Sequence, residues 1–447
     1  MSISLNPKTF DELPISKGLK KALHNSKFTH LKPIQSQTIP HLLAGRNVLG
    51  ASPTGSGKTL AFLVPVIELL TYSRTRPNYG TIAIVLSPSR ELALQTFSVA
   101  NTLMKELSPT VMAIVGGQKG FKDEAYALRT KGVNLLIATP GRLRQHLEGG
   151  YVKLDHFQFL VIDEADRMLE VGFANDLYSI FEYIKSPPQT ALFSATLTKD
   201  VEGLMKINIS KTPIFCCPSD SSNVETLQHC YSIVPLIDRV SILARILTHL
   251  KSKRIVCFIS NRKEAEFLTR IMNAIDISCD CLHGELNQAE RNLAFVKFNR
   301  NETHVLFATN VASRGLDFPD VDWSISVGPP DRVKDYVHRA GRTARNEKFG
   351  QSLILLAPNE EIFVKHVRNN GIKIKKIELT LSGLEEINQR IENAMNSSRQ
   401  FTQLALEAAL GFESSYQARP AEEGISFDEV DMNDVRISFG LEPEGHI

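Results

Sequence analysis

No apolar run in this 447-residue chain approaches the roughly 20 residues of a membrane span. The first twenty residues lack the basic, apolar, small-residue order of a secretory signal. Both absences lead us to expect an intracellular chain with no membrane partner. Aromatic residues make up 7% and there is one tryptophan, which argues against an extended base-stacking platform. The six cysteines (216, 217, 230, 257, 279 and 281) show no paired two-residue spacing, and no nearby histidine pair completes a tetrahedral zinc site. They read as ordinary thiols in a reducing compartment. There is no low-complexity tract. With 43% hydrophobic and 22% charged residues, wholesale disorder is excluded, and the length predicts two to four domains.

The near-neutral net charge of +2 hides an uneven distribution. From Phe401 to Ile447 there are ten acids and two bases, so that stretch carries −8 and the remainder +10. A basic body permits a polyanionic partner such as nucleic acid, although a solvated surface has the same composition.

From about residue 45, short β-branched runs alternate with longer amphipathic stretches. The runs are Thr81–Leu86, Val111–Val115, Val133–Ala138, Phe159–Ile162 and Thr190–Phe193. Continuous apolar strands alternating with helical patterns imply a parallel α/β sheet. The polar, aperiodic stretch 217–226 reads as a linker. The pattern then restarts with Arg254–Ile259, Asp280–Leu282, His304–Ala308, Trp323–Val327 and Gln351–Ala357. The division expected is 1–40, a segment serving the first domain; 41–216, the first domain; 217–226, the linker; 227–378, the second domain; and 379–447, an acidic extension.

Asn47–Ala51 reads as a strand leading into Ser52-Pro53-Thr54-Gly55-Ser56-Gly57-Lys58-Thr59 and the helical Leu60–Leu70. Strand, glycine loop, Lys-Thr and helix form a phosphate-binding loop. Gly55 and Gly57 let backbone N–H groups turn towards phosphate oxygens, and the helix N-terminus faces the same charge. Lys58 can reach the β- and γ-phosphates, and the Thr59 hydroxyl can ligand Mg²⁺. Ser52 stands where the strict motif has glycine. Downstream, the buried strand Phe159–Ile162 ends in Asp163-Glu164-Ala165-Asp166. There Asp163 would hold the metal through water, and Glu164 would orient the attacking water.

From Phe10 to about Ala357, with its motifs in order, the chain resembles the DEAD-box RNA helicases of helicase superfamily 2. The resemblance implies two tandem RecA-like parallel-sheet domains joined by a hinge linker, with a small C-terminal extension, and implies ATP and Mg²⁺ as cofactors. Phe28-Thr-His-Leu-Lys-Pro-Ile-Gln35 is similar to the family's adenine-reading motif. Gln35 would hydrogen-bond the base and Phe28 would stack on it. Leu31 and Lys32 replace the usual Pro-Thr pair. Pro88-Ser89-Arg90, Gly116-Gly117 and Thr139-Pro140-Gly141-Arg142 resemble RNA-contacting motifs, which assigns RNA contact to Pro88, Arg90, Gly117, Thr139, Gly141 and Arg142. Ser89 replaces a threonine and keeps the hydroxyl. Ser194-Ala195-Thr196 would link Asp166 to His338 and couple hydrolysis to domain geometry.

In the second domain, Gln288, Arg291 and Thr309 would contact RNA, and Asp317 the ribose. Asn310 stands where the family usually has aspartate, and Cys257 where it has phenylalanine. His338-Arg339-Ala340-Gly341-Arg342-Thr343-Ala344-Arg345 resembles the arginine-finger motif. Arg342 and Arg345, three apart, are expected on one face of a helix, where they would neutralise γ-phosphate charge in the transition state.

The implied function is an ATP-dependent RNA helicase that grips the sugar–phosphate backbone with low sequence specificity and acts as a monomer. Leu13-Pro14-Ile15-Ser16, Gly315–Pro319 with Val321–Trp323, and Val435–Leu441 look like the nucleolar ribosome-biogenesis branch. That branch implies rRNA processing, a nuclear and nucleolar address, and pre-ribosomal protein partners for the extension; a cytoplasmic address stays open. An ATP-gated RNA clamp and a DNA-directed relative are the competing readings.

Overall fold

The computed structural model describes residues 7–52, 55–72, 79–117, 120–170, 172–184, 187–195, 201, 203–204, 212–217, 227–310, 321–344, 349–379, 382–418 and 430–443. The chain divides into two compact units, Met1–Ser221 and Ser222–Ile447.

In the first unit seven strands form one parallel sheet: β1 (Val48–Ala51), β2 (Ala83–Leu86), β3 (Val111–Ile114), β4 (Leu135–Ala138), β5 (Phe159–Ile162), β6 (Gln189–Ser194) and β7 (Ile214–Cys216). Their order is β3-β4-β2-β5-β6-β1-β7. Successive side chains on a strand point to opposite faces, and here both faces are apolar. Val48, Val85, Ile137, Val161 and Phe193 join one cluster; Leu49, Ile84, Leu136, Leu160 and Leu192 join the other. A strand buried on both sides has no polar face to interrupt its apolar run. The N-terminal segment belongs to this unit too: Phe10, Leu13, Leu19 and Leu23 are buried in the first of these clusters.

The second unit repeats the plan with β8 (Leu227–Ile233), β9 (Ile255–Phe258), β10 (Cys279–Leu282), β11 (Val305–Ala308), β12 (Trp323–Val327), β13 (Gly350–Leu356) and β14 (Ile374–Lys376). All pairs are parallel, in the order β10-β11-β9-β12-β13-β8-β14. Counted from its own first strand, this is the permutation of the first unit.

The acidic extension does not stand apart as a region of its own. Helices Leu384–Ser397, Arg399–Gln417 and Met432–Ser438 place Ile387, Ile391, Phe412, Tyr416, Val435 and Phe439 in the same cluster as Ile255, Phe307 and Leu355. Beneath them Glu360, with no exposed surface, accepts from Arg239 Nη2 at 2.9 Å, from the Ala357 N–H at 2.8 Å and from the Tyr416 hydroxyl. A buried carboxylate is tolerable only with partners of this kind. Among the described residues, no helix is long and apolar enough to cross a membrane.

Candidate nucleotide site and nucleic-acid edges

In the first unit the parallel register brings the nucleotide elements to one end of the sheet. Ala51 pairs with Ser194 and Leu86 with Ile162. The loop after β1, the acids after β5 and Ser194 at the end of β6 therefore share the carboxyl edge, where α/β sheets bind ligands. Ser52 donates its N–H to Ser194 O at 3.0 Å.

Gly55 and Gly57 have φ of +81° and +92°, the left-handed region open to glycine. Lys58 opens the helix Lys58–Tyr72, is 7% exposed, and donates from Nζ to Ser52 O at 2.6 Å. Gln35 is buried, not free-standing. Its Oε1 accepts from the Lys32 N–H at 2.9 Å, capping the helix Pro33–Leu43, and its Nε2 donates to Gly57 O at 2.9 Å. A primary amide has two donors and two acceptor lone pairs, so each end keeps capacity for a base edge. Phe28 is exposed.

Glu164 has φ +49°, a conformation disfavoured for a side-chain-bearing residue and found at functional sites. Its N–H donates to Asp163 Oδ1 at 3.0 Å, and the Arg167 N–H donates to Asp166 Oδ1 at the same distance. Asp163, Glu164 and Asp166 are all buried. Burial and the Glu164 carboxylate push the Asp163 carboxyl well above its ordinary range, against the downward pull of the Lys58 ammonium. Among the described residues no cluster of three or more acidic, histidine or cysteine side chains forms a metal site by itself; the carboxylate of Asp163 and the hydroxyl of Thr59 are hard oxygen donors of the kind a divalent cation bound with phosphate takes.

The other strand ends of the first unit carry the nucleic-acid candidates. Ser89 Oγ accepts from the Leu92 N–H at 3.2 Å and so caps the helix that begins at Arg90. Gly117 has φ +73°, and a Cβ there would collide with the Arg90 guanidinium. Thr139 Oγ1 accepts from the Gly116 N–H at 3.2 Å. Pro88 is buried and Gly141 half-buried on the same edge. Arg142 is placed differently from its neighbours. It is 8% exposed, its Nε donates to Glu124 Oε2 at 2.8 Å, and it lies over the Phe121 ring. Glu124 also engages His146 Nε2 at 2.8 Å. The arginine expected to grip RNA phosphate therefore ties the helix Pro140–Glu148 to the helix Phe121–Thr130, beneath the Thr139 loop.

In the second unit, the Thr309 N–H donates to Leu282 O at 3.2 Å. Arg291 is half-buried on the helix Gln288–Asn299, which Asn287 caps. Asn310 Oδ1 accepts from Arg339 Nε at 2.7 Å, so the neutral amide fills the acceptor position expected of an aspartate. His338 is half-buried on the helix Val333–Ala340. That helix ends at Ala340, so Arg342 lies in the turn beyond it rather than on a helix as expected. Arg342 N and Thr343 N close turns onto Arg339 O and Ala340 O. Thr343 Oγ1 then donates to Val321 O and Asp322 O, and Ala344 takes φ +56°. These two carbonyls, just before β12, draw the chain off the helical path. Arg342 is 3% exposed, with Nε donating to His338 O at 3.2 Å. Pro53, Thr54, Thr196, Asp317, Arg345 and the Gln288 side chain lie outside the described residues.

A phosphate loop with buried acids on one parallel sheet, and a second sheet of the same permutation carrying the arginine segment, define a nucleoside-triphosphatase of helicase type. Residues 32–204 match the family description DEAD/DEAH box helicase, and residues 238–347 match Helicase conserved C-terminal domain. The Saccharomyces cerevisiae ATP-dependent RNA helicase HAS1 is 38% identical over 439 residues, covering 97% of this chain and 86% of that protein. DEAD-box ATP-dependent RNA helicase 27 of Oryza sativa is 38% identical over 442 residues, covering 96% and 74%. Among solved structures, Mss116p bound to single-stranded RNA and AMP-PNP has a TM-score of 0.84 at 27% identity, covering 98% of this chain and 92% of that one. S. cerevisiae Dbp5 bound to RNA and ADP BeF3 has a TM-score of 0.73 at 25% identity, covering 87% and 100%. The chain belongs to the DEAD-box family of ATP-dependent RNA helicases: it binds RNA and hydrolyses ATP.

Proposed function

We propose a division of labour for that activity between the two units. The loop 52–59 cradles the triphosphate, with Lys58 turning from Ser52 O to the β- and γ-phosphates. Phe28 and the unused capacity of the Gln35 amide select adenine. Thr59 and Asp163 hold Mg²⁺, which when bound offsets charge on the phosphate oxygens. Glu164 orients the attacking water; the observation that carries this role is its left-handed backbone and buried carboxylate at the end of β5, on the sheet edge that also carries the phosphate loop. Arg342 and Arg345 are supplied from the second unit to the transferring phosphoryl group, and Asp317 bonds the ribose. Asp166, Ser194, Thr196 and His338 couple hydrolysis to RNA binding.

RNA is held by its backbone. Pro88, Arg90, Gly117, Thr139 and Gly141 serve in the first unit, and Gln288, Arg291 and Thr309 in the second, giving low sequence specificity. Arg142 positions the Thr139 loop from below. We place the protein, as a monomer, in ribosome biogenesis and rRNA processing, with a nuclear and nucleolar address and pre-ribosomal proteins meeting the extension. The support for this is the likeness to the HAS1 helicases over nearly the whole chain.

ATP turnover measured with RNA, with DNA and with neither tests the reading. RNA-only stimulation is expected, and equal stimulation by DNA would overturn it. Single-turnover separation of a short RNA duplex then divides a helicase from a clamp.

A further inference from the structure

Lys32 stands where the sequence departs from the family's adenine-reading motif, and none of the roles assigned to the nucleotide site falls to it. It is the N-cap residue of the helix Pro33–Leu43. Its Nζ reaches across to the phosphate loop and donates to Gly55 O at 3.2 Å. Three residues on, Gln35 Nε2 holds Gly57 O at 2.9 Å, and the Lys32 N–H orients that amide through Gln35 Oε1. A Cβ built on Gly57 would lie 2.5 Å from Gln35 Nε2 and 2.9 Å from Lys32 Cδ, so these two side chains cover the loop at that point.

A loop that turns successive N–H groups inward around an anion must turn carbonyls outward. Gly55 and Gly57 are both at positive φ; Gly57 O accepts from the Ala61 N–H at 3.4 Å as the helix begins and from Gln35 Nε2, while Gly55 O accepts from Lys32 Nζ. Gln35 supplies one donor. A threonine hydroxyl at position 32 is several bonds too short to supply the other as Lys32 does, and it would bring no charge.

We infer that Lys32 is a second lysine of the nucleotide site, a positioning residue that holds the phosphate loop from outside through Gly55 O and adds a positive charge beside the triphosphate. The inference rests on the loop 52–59 being where ATP phosphates bind. Lys32 acts on binding: it touches no reacting atom, so it lowers KM for ATP and leaves kcat unchanged.

The test is RNA-stimulated ATP hydrolysis by the full chain at low and high ionic strength, with ADP affinity measured alongside. Lys32→Thr and Lys32→Met are each expected to raise KM for ATP and weaken ADP by about three- to tenfold, the size of one partly screened charged hydrogen bond. Their kcat should match the parent. Salt should narrow the gap, because it screens a charge exposed to solvent. Lys32→Arg should restore KM. Lys32→Met keeps most of the stem without the charge, so parental KM in that variant would overturn the inference, as would a drop in kcat at unchanged KM. Lys58→Ala serves as the control: retained ATP binding there would sink the phosphate-site reading itself, whereas a silent Lys32 beside an inactive Lys58→Ala would sink only the role given to Lys32.

Discussion

The two units are built on one strand permutation and differ in the segment that leaves the strand next to the sheet edge. In the first, β1 runs into the glycine loop and Lys58; in the second, β8 runs into Val234, Pro235 and the 3₁₀ turn Leu236–Asp238. At the end of β5 lie Asp163 and Glu164, whereas β12 is succeeded by Gly328 and two prolines. The glycine loop and the strand-end acids are therefore found in one copy alone. The opposite half of each sheet behaves differently. Ser89 and Asn261 both cap a helix whose first residue is arginine, Arg90 and Arg262. Thr139 and Thr309 each donate their N–H to the last position of the neighbouring strand, Ile114 O and Leu282 O, at 3.2 Å. Both copies keep these strand-end devices, and among the described residues only one carries a glycine loop with buried acids. In the division of labour proposed above, a repeating polyanion uses the same grip twice and a single triphosphate uses one cradle.

That contrast can be broken most directly at the arginines. Arg342→Ala in the second unit should lower ATP turnover by about 10³–10⁵ while ATP still binds the first, since arginine fingers act on the transition state; unchanged turnover by steady-state assay would remove the second unit from the chemistry. Glu164→Gln should cost about 10²–10⁴ in turnover with nucleotide affinity retained, checked by single-turnover hydrolysis against equilibrium binding. Phe412→Ala should destabilise the second unit by about 3–5 kcal/mol, read by denaturant unfolding, with ADP affinity intact; a matching loss of nucleotide binding would contradict the independence of the two cores.

The second unit should also be the acid-sensitive one. Burial lowers His229 from 6.5 to about 4, with its ring on the Tyr336 hydroxyl at 2.8 Å. The neutral ring is the folded form, so its contribution is complete above pH 6.5 and is lost as pH falls towards 4. His229→Asn should flatten that limb of the unfolding curve. Smallest of all, Ser89→Ala and Asn261→Ala should each cost about 1 kcal/mol, measured by thermal unfolding, and equal losses would show that the two caps are equivalent.

Burial decides how much of this is legible in the sequence. Strands such as Phe159–Ile162 and Val305–Ala308 are covered on both faces and announce themselves as unbroken apolar runs. β7, β8 and β14 do not. β14 is an edge strand with two exposed lysines, which protect an edge from pairing and erase its pattern, and β8 beside it carries the polar Gln228 and His229 near its start, which interrupt its apolar run. The phosphate loop and the acids after β5 are legible because their chemistry is local in sequence. The pairing of Arg142 is not legible because its partner, Glu124, lies eighteen residues away on another helix. Arg342 is misplaced by a helical reading because the Thr343 hydroxyl and its carbonyl partners at Val321 and Asp322, not helix propensity, decide where the chain turns. Lys32 gives a signal only as a departure; the carbonyl it reaches becomes visible once the fold brings Gly55 beside it.

The neighbours of β1 carry a consequence for how this protein is made. β1 lies between β6 and β7, so the strand that bears the phosphate loop has no partner until residues near 190 and 214 have left the ribosome. A nascent fragment that stops short of β6 therefore carries the phosphate loop on an unpaired strand, and its apolar runs are surfaces for chaperones to guard until β6 arrives beside β1.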